Sequence, residues 1–150
     1  MINVVDATII VDGALAHGRS LGLQPLTVAV LDAGGYLVSF KREDGSSLLR
    51  PAIAQAKAWG ALGMGMGTRT LAQRAATVPA FISALNALTG GQVIPVPGGV
   101  LIRGSGNSII GAVGISGDHS DHDESCAVAG IKAAGFTPDA GETAPAPQVR

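Results

Sequence analysis

The sequence contains little cysteine, few aromatic residues and no excess of charge of either sign. Its single cysteine, Cys126, excludes an intrachain disulfide and a four-cysteine zinc module. Ten basic residues against eleven acidic ones give a formal charge of −1. A chain with this balance lacks the basic surface that binds nucleic acid or an anionic membrane, so we expect neither partner.

Long hydrophobic runs are missing as well. No stretch approaches the roughly 20 apolar residues of a membrane-spanning helix. The first residues, MINVVDATII, lack the basic segment, apolar core and cleavage site of a signal peptide. The sequence therefore predicts a soluble, cytoplasmic protein, unless a signal peptide has already been removed.

Small side chains make up much of the chain. The 150 residues are 47% hydrophobic but only 3% aromatic, and 22 of them are glycine. Small residues allow helices and strands to pack closely, and the same surfaces suit contacts between subunits. A chain of this length is long enough for one domain with its own core.

Apolar spacing and turn residues predict the order helix, hairpin, helices, hairpin, helix. The predicted strands are residues 26–32, 36–43, the end of VIPVPGGVLIRG (93–104) and 108–116. The predicted helices are residues 5–21, 48–63, 68–75, 78–88 and 121–134. Tight connections within both strand pairs indicate antiparallel pairing, so the fold class is α+β with one sheet. We expect a domain over residues 1–136 and a flexible C-terminal tail over 137–150, which has no apolar period.

The segment GISGDHSDHDES (114–125) contains two of the three histidines, His119 and His122. One interpretation is a turn that starts a helix, with acidic residues near the helix dipole and a capping box at Ser120 or Asp121. The other makes a histidine a ligand for haem iron or a metal, or a proton donor. Two histidines and one cysteine fall short of a zinc site.

Three charged residues upstream leave a similar choice. Lys57 lies on the apolar stripe of its predicted helix, together with Leu49 and Ile53. Its ammonium group either extends past the helix rim to solvent or points into a cleft, where it would pair with an anionic ligand. Arg42 and Asp44 follow the second strand, and they form either a local ion pair or part of a ligand site.

Two glycine-rich turns, VPGGV (96–100) and GAVGISGD (111–118), bring backbone N–H groups together. Such turns can bind carboxylate or phosphate, but they are also an ordinary way of joining strands. Neither is a Walker A motif or a dinucleotide fingerprint, and the chain has no GxSxG nucleophile elbow.

Four segments in order, LDAGGYLVSFKREDG, AIAQAKAW, PVPGGVLIRG and IIGAVGISGDHSDHDESCAVAGIKAAG, resemble the GlcG/HbpS family of haem-binding or haem-degrading proteins. The chain is also similar to the C-terminal domain of PduO-type proteins. The resemblance implies an α+β, profilin-like domain with a central antiparallel sheet of about five strands. It further implies assembly into homo-oligomers as large as octamers.

The resemblance also implies a shared cleft. Its lining positions in this chain are Arg42, Asp44, Lys57, Pro97, Gly98, Gly99, Ser116, Gly117, Asp123 and Glu124. His119 and His122 depart from the family pattern, because relatives usually have other polar residues before the Asp-Glu pair. The departure either adds a ligand specific to this member or reflects change in an exposed turn.

Two functions follow from these residues. As a binding protein, the chain would hold haem or another planar, acid-bearing molecule, with Lys57 or Arg42 on a propionate and His119 or His122 on the iron. The low aromatic content offers little surface for stacking on such a molecule.

As an enzyme, the chain would act on a small organic acid in a catabolic pathway. Lys57 and Arg42 would hold the carboxylate, and His122, Asp123 or Glu124 would move a proton. Haem binding predicts a Soret band, whereas the enzyme hypothesis predicts stabilisation by a small carboxylate.

Overall fold

The fold is known from a computed structural model that describes residues 1–142. The elements are α1 (Val4–Ser20), β1 (Thr27–Asp32), β2 (Leu37–Arg42), α2 (Arg50–Met64), α3 (Thr68–Thr77), α4 (Pro79–Leu88), β3 (Gly99–Arg103), β4 (Ile109–Ser116), α5 (Ser120–Ala133) and β5 (Thr137–Asp139). This order confirms the predicted α+β class and single domain. Pro51 lies in the first turn of α2, where its missing N–H costs no helical hydrogen bond.

The five strands form one antiparallel sheet in the order β2-β1-β4-β3-β5. Both predicted hairpins, β1–β2 and β3–β4, are present. Thr27 pairs with Arg42 on one side and with Ser116 on the other. The first residue of β1 and the last residues of β2 and β4 therefore meet at one end of the sheet, which we call the Thr27 end.

Helices cover both faces of the sheet. The main core lies between the sheet and the pair α1 and α5, and a smaller one lies under α2, where Ala58 and Ala61 pack on Leu31 and Leu101. Alternate residues of β1 face the two cores, as expected for a strand buried on both sides. A Cβ atom on Gly114 of β4 would collide with the backbone of α2, so the small residues do allow close packing.

The C-terminal region differs from the prediction. Residues 137–139 form β5 and pair with β3, and the carboxylate of Asp139 accepts a hydrogen bond from Arg103 at 2.9 Å. The predicted flexible tail is therefore wrong at these residues. An edge strand of three partly exposed residues has no apolar period to detect. The end of that tail, residues 143–150, lies outside the described part of the chain.

None of the helices within residues 1–142 is long and apolar enough to cross a membrane. The predicted cytoplasmic location and oligomeric state stay predictions.

Candidate functional site

Lys57 crosses from α2 to the Thr27 end of the sheet, where it is buried. Its side chain is 3% exposed, and Nζ donates a hydrogen bond of 2.9 Å to the carbonyl oxygen of Ile115. Nζ also lies 3.3 Å from Oδ2 of Asp123, whose side chain is 1% exposed. The lysine therefore does not extend to solvent, and its ammonium group has two acceptors from the protein.

Burial acts on both members of this ion pair. It lowers the pKa of Lys57, and the charge of Asp123 opposes that shift. Burial also raises the pKa of Asp123, and the charge of Lys57 opposes this second shift. The two charges stabilise each other, because an isolated buried charge is very costly.

The turn before β3 makes room for the lysine. Gly98 has φ 120°, and a Cβ atom there would lie 2.8 Å from Nζ of Lys57. The N–H of Gly99 donates to the hydroxyl of Thr68 at 2.8 Å. The glycines of this turn accommodate Lys57 and pair with Thr68, so the N–H of Gly99 is not free for an anion.

Asp118 connects the start of α5 to the loop after α1. Its Oδ2 accepts from the backbone N–H of Gln24 at 2.9 Å. Its Oδ1 accepts from the N–H of His119 and from Nδ1 of His122, both at 2.7 Å. These contacts, with Gln24 first, hold the pKa of Asp118 well below its usual range. Because the ionised carboxylate only accepts, Nδ1 of His122 carries the hydrogen of this bond, and in the neutral imidazole Nε2 is then an acceptor.

This arrangement corrects the predicted capping box. His119 occupies the N-cap position of α5 and makes no side-chain capping bond. The carboxylate of Asp118 binds the N–H of His119, and Oδ1 of Asp123 binds the N–H of Asp118 at 3.0 Å. Two carboxylate contacts, one between adjacent residues and one between residues five apart, therefore replace the box expected at Ser120 or Asp121.

Arg50, at the first position of α2, contributes a guanidinium group and was not among the predicted site residues. Its NH1 atom donates to the hydroxyl of the fully buried Ser116 at 2.9 Å. Within residues 1–142, no carboxylate lies at ion-pair distance from it. A cation is unfavourable at the positive end of a helix dipole, and that mismatch was the signal available in the sequence.

A cavity of about 360 Å³ opens beside Arg50. It is lined by Gln24, Arg50, Gly117, Asp118 and His119. A guanidinium group and an imidazole therefore share one opening, and the carboxylate of Asp118 forms part of its wall. We call it the Arg50 cavity.

Arg42 and Asp44 lie elsewhere. Both line a second cavity of about 490 Å³, which Pro25 also lines. The NH1 atom of Arg42 donates to the carbonyl oxygen of Ser46 at 2.7 Å. The predicted single cleft is therefore divided, with Lys57, Gly98, Ser116, Gly117 and Asp123 together and these two apart.

Glu124 forms an ion pair with helix α3. Nε of Arg69 in α3 lies 2.9 Å from its Oε2, and NH2 of the same arginine lies 2.6 Å from Asp121. These pairs connect α3 to the first turn of α5. The predicted proton-transfer role of Glu124 stays a prediction.

The metal hypothesis finds no complete ligand set. No group of three or more histidine, cysteine or acidic side chains within residues 1–142 is placed to hold a metal ion. Cys126 is buried, and burial raises the pKa of its thiol to about 11. The rings of His119 and His122 lie edge to face, with centroids 5.9 Å apart.

Comparison with known proteins decides the family. Residues 2–132 match the family model described as haem degrading protein HbpS-like. The chain belongs to the HbpS-like family. This confirms the resemblance found in the sequence. No curated protein matches the chain.

Solved structures agree with this fold. A crystal structure of a PduOC–haem complex has 25% sequence identity and a TM-score of 0.81, covering 90% of this chain and 96% of that one. A double mutant of Streptomyces reticuli HbpS has 25% identity and a TM-score of 0.75, covering 87% and 85%. Protein ORFY of Klebsiella pneumoniae, at 22% identity and a TM-score of 0.81 over 89% and 90%, supports the fold alone.

Proposed function

We propose that this HbpS-like protein binds haem, with the Arg50 cavity holding the carboxylate-bearing edge of the ligand. The observation that carries the proposal is the pairing of Arg50, which has no carboxylate partner within residues 1–142, with His119 on one cavity of about 360 Å³. The similar PduOC was solved with haem, and the family is described as haem-degrading. Both comparisons support the choice of ligand.

The residues present fit the polar requirements of haem. An arginine suits a propionate, because a guanidinium group forms two parallel hydrogen bonds with a carboxylate. An imidazole suits the iron, and His122 has its Nδ1–H bound to a carboxylate, which is the usual arrangement of a metal-ligating histidine. The lining of the cavity is polar, but Leu48 and Leu49 are exposed just before Arg50 and offer apolar contact.

The two histidines have different advantages as iron ligands. His119 lines the Arg50 cavity. His122 is fixed by Asp118, and its side chain is 51% exposed. Bound haem would supply a redox-active iron to whichever imidazole holds it.

In this proposal, Arg50 has the anion-binding role that the sequence suggested for Lys57 and Arg42. Lys57 could reach a propionate only after leaving Ile115 and Asp123, and Arg42 lines the other cavity. Their roles as anion ligands stay predictions.

A second candidate function is acid–base chemistry on a small organic acid. Asp118 and His122 form a carboxylate–imidazole pair of the kind that orients a general base. Arg50 would hold the substrate carboxylate, and Nε2 of His122 would accept or return a proton. A small monocarboxylate, and not haem, would then stabilise the protein.

The test is a haemin titration of the purified protein, followed by the Soret band. We expect saturable one-to-one binding. We also expect the affinity for haemin to fall about tenfold or more in His119→Ala or His122→Ala, which remove a candidate iron ligand. Arg50→Met should lower the affinity by a similar factor, because charge-assisted hydrogen bonds contribute about 1.5–3 kcal/mol. Arg74→Met, at an exposed position of α3, is the matched control for Arg50→Met.

The third histidine is the control for the ligand assignment. His17 in α1 lies 3.2 Å from the hydroxyl of Ser125 and outside the Arg50 cavity. A loss of binding confined to His17→Ala would move the iron ligand to α1. Nonsaturable binding that none of the variants alters would contradict the haem proposal. Thermal stabilisation by a small monocarboxylate that disappears in Arg50→Met would then favour the second candidate.

A further inference from the structure

Hydrogen bonds connect the buried ammonium group of Lys57 to the exposed ring of His122 through two carboxylates. We propose that Lys57 and Asp123 are positioning residues for the histidine turn, which comprises residues 117–122. They hold the turn so that Nε2 of His122 is the free acceptor of the ring. This rests on the proposed function, in which that nitrogen is available to a ligand.

Asp123 forms the inner link. Its Oδ2 lies 3.3 Å from Nζ of Lys57, and its Oδ1 accepts from the N–H of Asp118 at 3.0 Å. The two oxygens thus have partners on different segments, which fixes the rotation of the carboxylate. The second bond of Lys57, to the carbonyl oxygen of Ile115, places α2, β4 and α5 together next to the histidine turn.

Asp118 forms the outer link. Because Asp123 holds its backbone N–H, its side chain is set to meet the N–H of Gln24, the N–H of His119 and Nδ1 of His122. Of these contacts, the one to Nδ1 selects the tautomer. The described residues provide no hydrogen-bond partner for Nε2 of His122, so the ring keeps one free nitrogen.

A purely structural ion pair would behave differently. It would contribute to the free energy of unfolding and leave the tautomer of His122 unchanged in any variant that still folds. A positioning role instead predicts that the tautomer changes when Asp123 no longer holds the turn, although the hydrogen bond to the imidazole comes from Asp118 and not from Asp123. The tautomer therefore separates the two roles.

The experiment records imidazole ¹⁵N spectra of the full chain without ligand. We expect a dominant Nδ1–H signature for His122 in the wild-type protein, a mixture of tautomers in Asp123→Ala and a smaller change in Asp123→Asn, which keeps an acceptor for the N–H of Asp118. Asp12→Asn, which removes a carboxylate from a surface ion pair with Lys41, is the charge-matched control and should keep the wild-type signature.

Two outcomes would overturn the positioning role. One is a folded Asp123→Ala variant with the wild-type signature. If that variant does not fold, the double variant Lys57→Met/Asp123→Ala, which leaves neither a buried charge nor an acceptor for the N–H of Asp118, decides the matter. A wild-type signature in the folded double variant overturns the role, and a mixture supports it.

A haemin titration of the same variants separates this inference from the proposed function. We expect Asp123→Ala to weaken haemin binding about tenfold, the lower end of the range for removing a partner of a metal ligand, because Asp123 acts on His122 through Asp118. Asp12→Asn should leave the binding unchanged. If the wild-type protein does not bind haemin, the proposed function fails, and the ¹⁵N spectra still test the positioning. If it binds and a folded Asp123→Ala variant keeps both full affinity and the wild-type ¹⁵N signature, the positioning role fails alone.

Discussion

At the scale of the residue, Lys57 shows how burial changes the meaning of a charged side chain. Its position on an apolar helix stripe is compatible with an aliphatic chain that reaches out to solvent or with an ammonium group that faces a ligand. The structure shows a third arrangement, in which the ammonium group is paired with Asp123 inside the protein. The free energy of such a pair depends on both members, because removing one leaves the other charged and buried.

Replacing Lys57 alone should therefore destabilise the protein strongly. We expect Lys57→Met to lower the free energy of unfolding by about 3–5 kcal/mol, the range for breaking a buried ion pair. Lys57→Met/Asp123→Asn should recover part of that loss, since no buried charge remains. Urea unfolding measures both, with Lys132→Met at an exposed position of α5 as the control. A Lys57→Met variant as stable as the wild-type protein would contradict this account.

At the scale of the element, most helices and strands followed from local pattern, whereas the start of α5 and the strand β5 did not. The hairpins were predicted from strand-forming runs and turn residues, and α1 from apolar residues at helical spacing. The start of α5 was not, because Asp118 and Asp123 replace the local capping box. Strand β5 was missed because its partner, β3, is far away in sequence and its own three residues carry no pattern.

The candidate site was predictable only in part for the same reason. The family resemblance placed Lys57 and Asp123 in one cleft, and their side chains lie 3.3 Å apart. It did not indicate Arg50, whose signal in the sequence was a cation in the first turn of a helix. Nor did it separate Arg42 from Lys57, because Arg42 lines a cavity together with residues of α1, which are distant in sequence.

The turn before β3 should tolerate no side chain at Gly98. We expect Gly98→Ala to destabilise the protein by at least about 1–3 kcal/mol, from its positive φ alone, and to displace the ammonium group of Lys57. Gly63→Ala is the matched control, because a Cβ atom there meets nothing within 4 Å and a helical alanine should stabilise α2 slightly. Thermal unfolding of both variants checks the difference, and equal melting temperatures would argue against a close fit around Lys57.

At the scale of the whole molecule, Asp118 connects segments that are far apart in sequence. Its carboxylate binds the loop after α1 through Gln24 and the first turn of α5 through His119 and His122. Three donors favour the ionised form, which is why the pKa of Asp118 is lowered in the folded state. The stability of the assembled fold is therefore linked to the charge of this residue.

The sign of that linkage gives a prediction for acid unfolding. The unfolded chain takes up a proton at Asp118 near its ordinary pKa of 3.8, while the folded chain stays ionised well below it. The contribution of Asp118 is therefore fully present above that value and is lost as the pH falls from about 4 towards the lowered pKa. We expect the urea midpoint of the wild-type protein to fall between pH 5 and pH 3 more steeply than that of Asp118→Asn, which has no charge to lose. Asp12→Asn removes the same charge from a surface ion pair with Lys41 and should keep most of the wild-type slope. Parallel slopes for the wild-type protein and Asp118→Asn would show that the three bonds to Asp118 do not link the fold to pH, and the acid sensitivity would then belong to other carboxylates.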